Sequence, residues 1–290
     1  MIKRTATGFL IVIVIIGAIA LNSLSFVTLF FIIMLGTLYE FYNNLLRAKI
    51  HPQKVYGLII ASMFYIFAFL NAIGYIPIRF IFLFFPLISV IFLAELFLRE
   101  NRPFHNIAFT MLGLFYIALP FSLFNYFVFH PSEELILKSG GEADIVNFIF
   151  QPGFKVNYYY QILLGFFFLN WLNDTGAYLA GVPFGKHKLF KRISPKKSWE
   201  GFIGGVLFSF TTAILLARFF PVLQLHDWLI LAFIVVVFAT FGDLVESMLK
   251  RYLGLKDSGN ILPGHGGLLD RFDGVIFSAP IVYAYLSMIL

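Results

Sequence analysis

Acidic side chains are scarce in this sequence, and those set in or beside apolar stretches gather toward its C-terminal half. The run FGDLVESMLKR carries Asp243, Glu246, Ser247 and Lys250 at i, i+3, i+4 and i+7, a spacing that lines them along one helix face. Downstream, LLDRFDG sets Asp270 and Asp273 three apart as another apolar run opens. Upstream, NWLNDTGAYLAG puts Asn170, Asn173 and Asp174 on a shared helical face. An Asp near the centre of a spanning helix costs about 2.5–3.5 kcal/mol on insertion scales, so such residues face a cavity or a partner. Singly, each residue has a plain structural explanation. Amides tie neighbouring helices together, an Asp on a first helical turn complements the helix dipole, and Asp243 and Glu246 can pair with Lys250 and Arg271. Gathered at helix ends on one side, they describe a site.

The residue types also set the chemistry. There is no Cys and no set of His at metal-ligand spacing, which argues against zinc. Carboxylates alone favour a hard cation, Mg²⁺ first. Mg²⁺ is usually held by one or two carboxylates while substrate phosphates complete its shell. Between the two acidic helix ends lies KDSGNILPGHGG, residues 256–267. Gly266 and Gly267 let backbone N–H groups approach an anion, and His265 beside them is a loop residue within reach of a substrate. A second loop, GVPFGKHKLFKRISPKKSWEG, carries Lys186, Lys188, Lys191, Arg192, Lys196 and Lys197. Each such charge adds about 1 kcal/mol of attraction to anionic lipid at a membrane surface. The phosphate-binding pattern of Gly, four residues, then Gly-Lys-Ser/Thr is absent, because Gly181 and Lys186 have the wrong spacing and His187 follows. No Ser-His-Asp arrangement is legible.

The elements that must hold these residues are membrane helices. The chain has 290 residues, 60% of them hydrophobic and only 12% charged, where soluble domains carry about 25% charge. Disorder requires the opposite composition. Runs of spanning length lie at about 7–22, 24–41, 54–71, 76–98, 104–129, 157–180, 200–220, 225–248 and 271–290. They are too long and too continuously apolar for barrel strands. The expected fold is therefore an all-α polytopic membrane protein of about nine transmembrane helices.

With a cytoplasmic N-terminus, 17 of the 21 basic residues fall on the inner side, as the positive-inside rule requires. The net charge of +6 reflects that placement and not a nucleic-acid partner. The 130–156 loop, with Glu133, Glu134, Glu142 and Asp144, then faces outward. Residues 1–156 read as a lipid-facing scaffold with dimer contacts, and residues 157–290 as the part that carries the site. Lys3, Arg4, an apolar run and Ala18-Ile19-Ala20 also fit a cleaved leader. A transporter would need polar residues spread over several spans, and the early spans hold little beyond Glu40 and Glu95, near inner ends. The residues thus point to a membrane enzyme acting on a phosphate-rich substrate at the cytoplasmic face.

The run SMLKRYLGLKDSGNILPGHGGLLDRFD, Ser247 to Asp273, resembles the signature of the phosphatidate cytidylyltransferases, or CDP-diacylglycerol synthases. The matching positions are Ser247, Lys250, Arg251, Lys256, Asp257, Gly259, Leu262, Pro263, His265, Gly266, Gly267, Asp270, Arg271 and Asp273. NDTGAYLAGVPFGKHKL and ISPKKSWEGFIGG are similar to the same family, so the resemblance spans roughly residues 160–290.

The resemblance implies transfer of the cytidylyl group of CTP to phosphatidic acid, giving CDP-diacylglycerol and pyrophosphate in phospholipid biosynthesis. It implies Mg²⁺, with room for a second cation, a homodimer, and a site on the cytoplasmic side of a prokaryotic plasma membrane. Asp243 and Asp270 would hold the metal, with Asp174 completing its shell, and Asp273 would orient Arg271 or support a second cation. Lys250, Arg251, Lys256 and Arg271 would hold phosphates, and Asp257 and His265 belong to the same catalytic set. Ser194, Lys196, Lys197, Glu200, Ser247, Gly266 and Gly267 would bind CTP or the lipid phosphate. The alternatives are a CTP-dependent lipid kinase, a cytidylyltransferase for another lipid phosphate and, more remotely, a transporter.

Overall fold

A computed structural model describes residues 2–98, 102–129, 157–255, 258–259 and 266–290. The 130–156 loop and the signature residues Lys256, Asp257, Leu262, Pro263 and His265 lie outside them. The apolar runs fold as helices, since a segment in lipid must satisfy its own backbone N–H and C=O groups. α1 (Ile2–Leu21) and α2 (Ser23–Arg47) form a tight hairpin at Asn22. The extended Asn22 accepts a hydrogen bond from the Ser25 N–H at 2.9 Å and so caps α2. α3 (Lys54–Ala72) follows, and a 3₁₀ turn at Ile78–Leu83 then runs into α4 (Phe84–Leu98).

The fifth run is interrupted. α5 (Pro103–Gly113) and α6 (Leu119–Val128) are joined by a π turn at Leu114–Ala118. Pro120 accounts for it, having no N–H to give the Tyr116 carbonyl and a ring that crowds it. The turn widens instead, and the Leu119 N–H donates to the Leu114 carbonyl.

The C-terminal half consists of α7 (Tyr160–Phe184), α8 (Trp199–Phe219), α9 (Leu225–Tyr252) and α10 (Leu269–Ile289). Among the described residues, seven segments are long and apolar enough to cross a membrane. The other two helices fall short for visible reasons. α1 counts only over its apolar stretch Gly8–Leu21, and α7 carries Asn170, Asn173 and Asp174. The architecture is all-α and polytopic, as expected, and the protein is an integral membrane protein.

One element departs from the helical expectation. In the cationic loop, β1 (Lys188–Phe190) and β2 (Ser194–Ser198) pair antiparallel, Lys188 with Ser198 and Phe190 with Ser194. Ser198 then caps α8, its hydroxyl accepting the Gly201 N–H at 3.2 Å.

The main apolar core draws on both halves of the chain. Phe30 of α2 meets Phe124 of α6 edge-on at 5.4 Å between centroids, and Phe124 lies 5.9 Å from Phe167 of α7. Phe121 and Phe272, 5.4 Å apart, join α6 to α10. Aromatic pairs in these tilted geometries contribute about 0.5–1.5 kcal/mol each beyond burial. They fix α10 against α2 and α6, which matters for the site at its N-terminal end.

Candidate active site

The C-terminal part of α9 and the first turns of α10 are brought together by Gly242. A Cβ there would lie 2.5 Å from the Asp273 carbonyl oxygen and 2.7 Å from the Phe277 Cβ. This close approach groups Asp243, Glu246 and Asp273, which each offer a carboxylate oxygen within 4.8 Å of the others. Glu246 is 1% exposed. Its Oε2 takes the Lys250 ammonium at 2.6 Å, while its buried Oε1 has no hydrogen-bond partner among the described residues. Asp243 pairs with Lys197, which arrives from β2. Asp273 accepts the Gly274 N–H at 2.7 Å. Asp174, on α7, acts electrostatically on the same group and is itself acted on by Lys197 and Arg271.

Asp270, the other expected metal ligand, adjoins this group. Its Oδ1 binds Lys250 at 2.8 Å, and its Oδ2 accepts the Ser258 N–H at 3.0 Å, the Ser258 hydroxyl at 2.9 Å and the Gly267 N–H at 2.8 Å. Four donors already serve this carboxylate. It holds the flanks of the glycine loop and stands next to the acidic group, with Lys250 bridging it to Glu246. Gly266 has φ +82°, a left-handed conformation that glycine adopts without strain.

A cavity of about 570 Å³ opens beside the carboxylates, lined among others by Asn173, Asp174, Lys196, Lys197, Ser198 and Asp243. That volume is in the range of small-molecule sites. The hairpin forms part of its wall and is tied down twice. Glu200 accepts the His187 backbone N–H at 3.1 Å and contacts its Nδ1 at 2.6 Å, and the Arg251 Nε–H donates to the Ile193 carbonyl.

Of the expected residues, the structure thus brings Asp174, Lys196, Lys197 and Asp243 together around the cavity. Asp273 and Lys250 adjoin them, whereas Asp270, Gly266 and Gly267 form a neighbouring loop anchor. Ser194 is a strand residue paired with Phe190, Glu200 and Arg251 brace the hairpin, and Ser247 is half-buried on α9. Arg271 is exposed at the start of α10.

Four residues outside the expected set also reach the site. Glu246 stood in the α9 stripe but was given no role. Glu40 and Asn44 of α2 contact the loop flanks at Ser258, Leu268 and Leu269. The signal for Glu40 was present in the sequence, as an intramembrane carboxylate with no basic residue one helical turn away. Tyr116, in the π turn, buries a hydroxyl with no hydrogen-bond partner among the described residues, and the charges bearing on it are those of Asp273, Glu246 and Asp243.

Comparison with known proteins identifies the family. Residues 2–289 match the model of the cytidylyltransferase family. A phosphatidate cytidylyltransferase of Staphylococcus haemolyticus (strain JCSC1435) is 39% identical over 197 residues, covering 67% of this chain and 65% of the relative. One from Mycobacterium leprae (strain TN) is 50% identical over 117 residues, covering 40% of this chain and 38% of the relative. One from Staphylococcus aureus (strain COL) is 49% identical over 118 residues, covering 40% and 45%. The chain therefore aligns with less than two thirds of the length of these relatives. With a family match running almost from end to end, the chain belongs to the cytidylyltransferase family.

Proposed function

We propose that the protein transfers the cytidylyl group of CTP to phosphatidic acid, giving CDP-diacylglycerol and pyrophosphate. The observation that carries this reading is the shared wall between the two parts of the site. Asp243 belongs both to the acidic group and to the cavity, and Lys197 pairs with it there. Such a junction suits a triphosphate whose α-phosphorus must lie beside a cation and whose nucleoside needs an open pocket. Names of relatives support it, each being called a phosphatidate cytidylyltransferase.

In the proposed reaction, an oxygen of the lipid phosphate attacks the α-phosphorus of CTP. The bond from that phosphorus to the oxygen bridging the β-phosphate breaks, and pyrophosphate leaves with the electron pair. A phosphate monoester is largely dianionic near neutral pH, its second pKa being about 6, so no strong general base is required. Lys196 and Lys197 would hold the triphosphate from the hairpin side, and Arg271 would meet the lipid phosphate at the open end of α10. Lys250, with Asp270 and Glu246 on either side, would stabilise the charge that grows on the departing pyrophosphate.

The residues also fit a divalent cation. Among the described residues Glu246 Oε1 is buried without a partner, and the donor set is all oxygen, which suits Mg²⁺. We assign it to the carboxylates around Asp243, where Glu246 and Asp273 group, with Asp174 beside them and Asp270 joined to them by Lys250. Bound there, Mg²⁺ would neutralise phosphate oxygens and hold donor and acceptor together.

The same reading puts about nine helices in the bilayer of a prokaryotic plasma membrane, with the N-terminus and the site cytoplasmic, and it includes a homodimer. Cysteine labelling in intact cells checks the sidedness, and cross-linking in membranes checks the dimer.

The central experiment supplies purified protein with phosphatidic acid and CTP labelled at the α-phosphate, with and without a chelator. Label in the lipid that disappears on chelation supports the proposal. Label left in CDP identifies a CTP-dependent kinase, and label left in CTP removes the enzymatic reading.

A further inference from the structure

We propose that Glu40, a residue of the N-terminal half, is a positioning residue that clamps both flanks of the glycine loop and so holds Asp270 against Lys250. This rests on the transfer reading above for its kinetic consequence, though not for the clamp itself.

Glu40 is 4% exposed. Its Oε1 accepts the Ser258 hydroxyl at 2.7 Å and the Leu269 N–H at 3.1 Å, and its Oε2 accepts the Leu268 N–H at 3.0 Å. Asn44, one turn further along α2, donates to the Ser258 carbonyl. Among the described residues no Lys or Arg forms an ion pair with Glu40. Amide donors at the N-terminus of α10 meet its charge instead, where the helix dipole favours an anion. The fit is close, and a Cβ on Gly267 would collide with both Glu40 Oε1 and Ser258 Oγ.

The contacts of Glu40 are the contacts of Asp270, one bond removed. Ser258 and Gly267, which donate to Asp270, belong to the two flanks that Glu40 grips. The Ser258 hydroxyl lies 2.7 Å from Glu40 and 2.9 Å from Asp270. It carries one proton and can donate to one of them at a time. Asp270 in turn holds Lys250, whose other partner is Glu246 of the acidic group. A continuous line of hydrogen bonds thus runs from the scaffold helix α2 to the catalytic end of α9. A purely structural carboxylate would end on its own helix neighbours, as Glu95 does with Gln53 and Asn106.

The test uses full-length protein in lipid nanodiscs, comparing wild type with Glu40→Gln, Glu40→Asp and Glu95→Gln. Glu40→Gln replaces one acceptor oxygen by a donor. Glu40→Asp keeps the charge but withdraws it by one methylene. In both Glu40 variants, amide exchange in the peptide covering residues 266–270 should accelerate. Their kcat should fall about tenfold for Gln and less for Asp, with KM for CTP changed less than twofold, as removal of an outer-shell partner does. Glu95→Gln should lower the melting temperature and leave both readouts at wild-type values. Wild-type exchange at residues 266–270 in both Glu40 variants overturns the clamp, as does a Glu95→Gln variant that loses kcat to the same extent. If wild type makes no CDP-diacylglycerol, the transfer reading fails, and the exchange data alone still decide the clamp.

Discussion

Two buried glutamates in the same half of the chain have opposite reach. Glu95, 4% exposed, accepts Gln53 at 2.6 Å and Asn106 at 2.8 Å. Gln53 also binds the Ile91 carbonyl, and its backbone N–H meets Thr110. The contacts of that node join α4, α5 and the turn before α3, so they serve to hold helices together. Glu40 is buried to the same degree, but its partners lie 218, 228 and 229 residues away, on the loop that anchors Asp270. Burial and charge therefore do not distinguish a scaffold carboxylate from a site carboxylate. The destination of its hydrogen bonds does.

Variants at the two nodes should separate along that line. The largest expected effect is at the acidic group itself. Asp273→Asn should lower kcat by about 10²–10³-fold, the loss that follows removal of one preorganised electrostatic group. Its melting temperature should not fall, since one of several crowded like charges is removed. Retention of more than half the initial rate would take Asp273 out of the machinery. Lys197→Ala comes next. It deletes a charge-assisted contact of about 1.5–3 kcal/mol, so kcat/KM for CTP should drop about 10–100-fold, chiefly through KM, and depend less on salt. An unchanged KM would mean that the hairpin lysine holds Asp243 and no triphosphate. Smallest in activity is Asn106→Ala in the Glu95 node. Leaving Glu95 short of a donor costs about 1–3 kcal/mol of stability, visible as a lowered melting temperature, while kcat stays within twofold. A tenfold loss of kcat there would erase the contrast between the nodes.

The helices, their approximate limits and the acidic faces of α7, α9 and α10 were legible, because apolar length and i, i+3, i+4 spacing are local properties. The grouping of carboxylates was not. Asp243 and Glu246 share a stripe, as do Asp270 and Asp273, but spacing says nothing about how far α10 is shifted along α9. One helical turn of shift, about 5.4 Å, decides which stripe residues Asp270 and Asp273 each meet; here Asp273 lies beside Asp243 and Glu246, and Asp270 beside Lys250. Gly242 and the flanks held by Glu40 set that shift, and neither has a local signature of doing so. The hairpin was hidden for another reason, as its lysines read as membrane-surface charge and Pro195 weakens any strand pattern. The π turn was legible in principle from Pro120, though not its effect on Tyr116.

The separation between Glu40 and its partners has a consequence for biosynthesis. A ribosome adds about 5–20 residues per second, so the 218 to 229 residues between them take roughly 10–45 s to appear at that rate. For that interval a carboxylate sits in the nascent bundle with none of its final donors, and nothing yet exists to order the glycine loop. The clamp closes only when α10 arrives, so a chain still short of that helix lacks the contacts that hold the loop flanks.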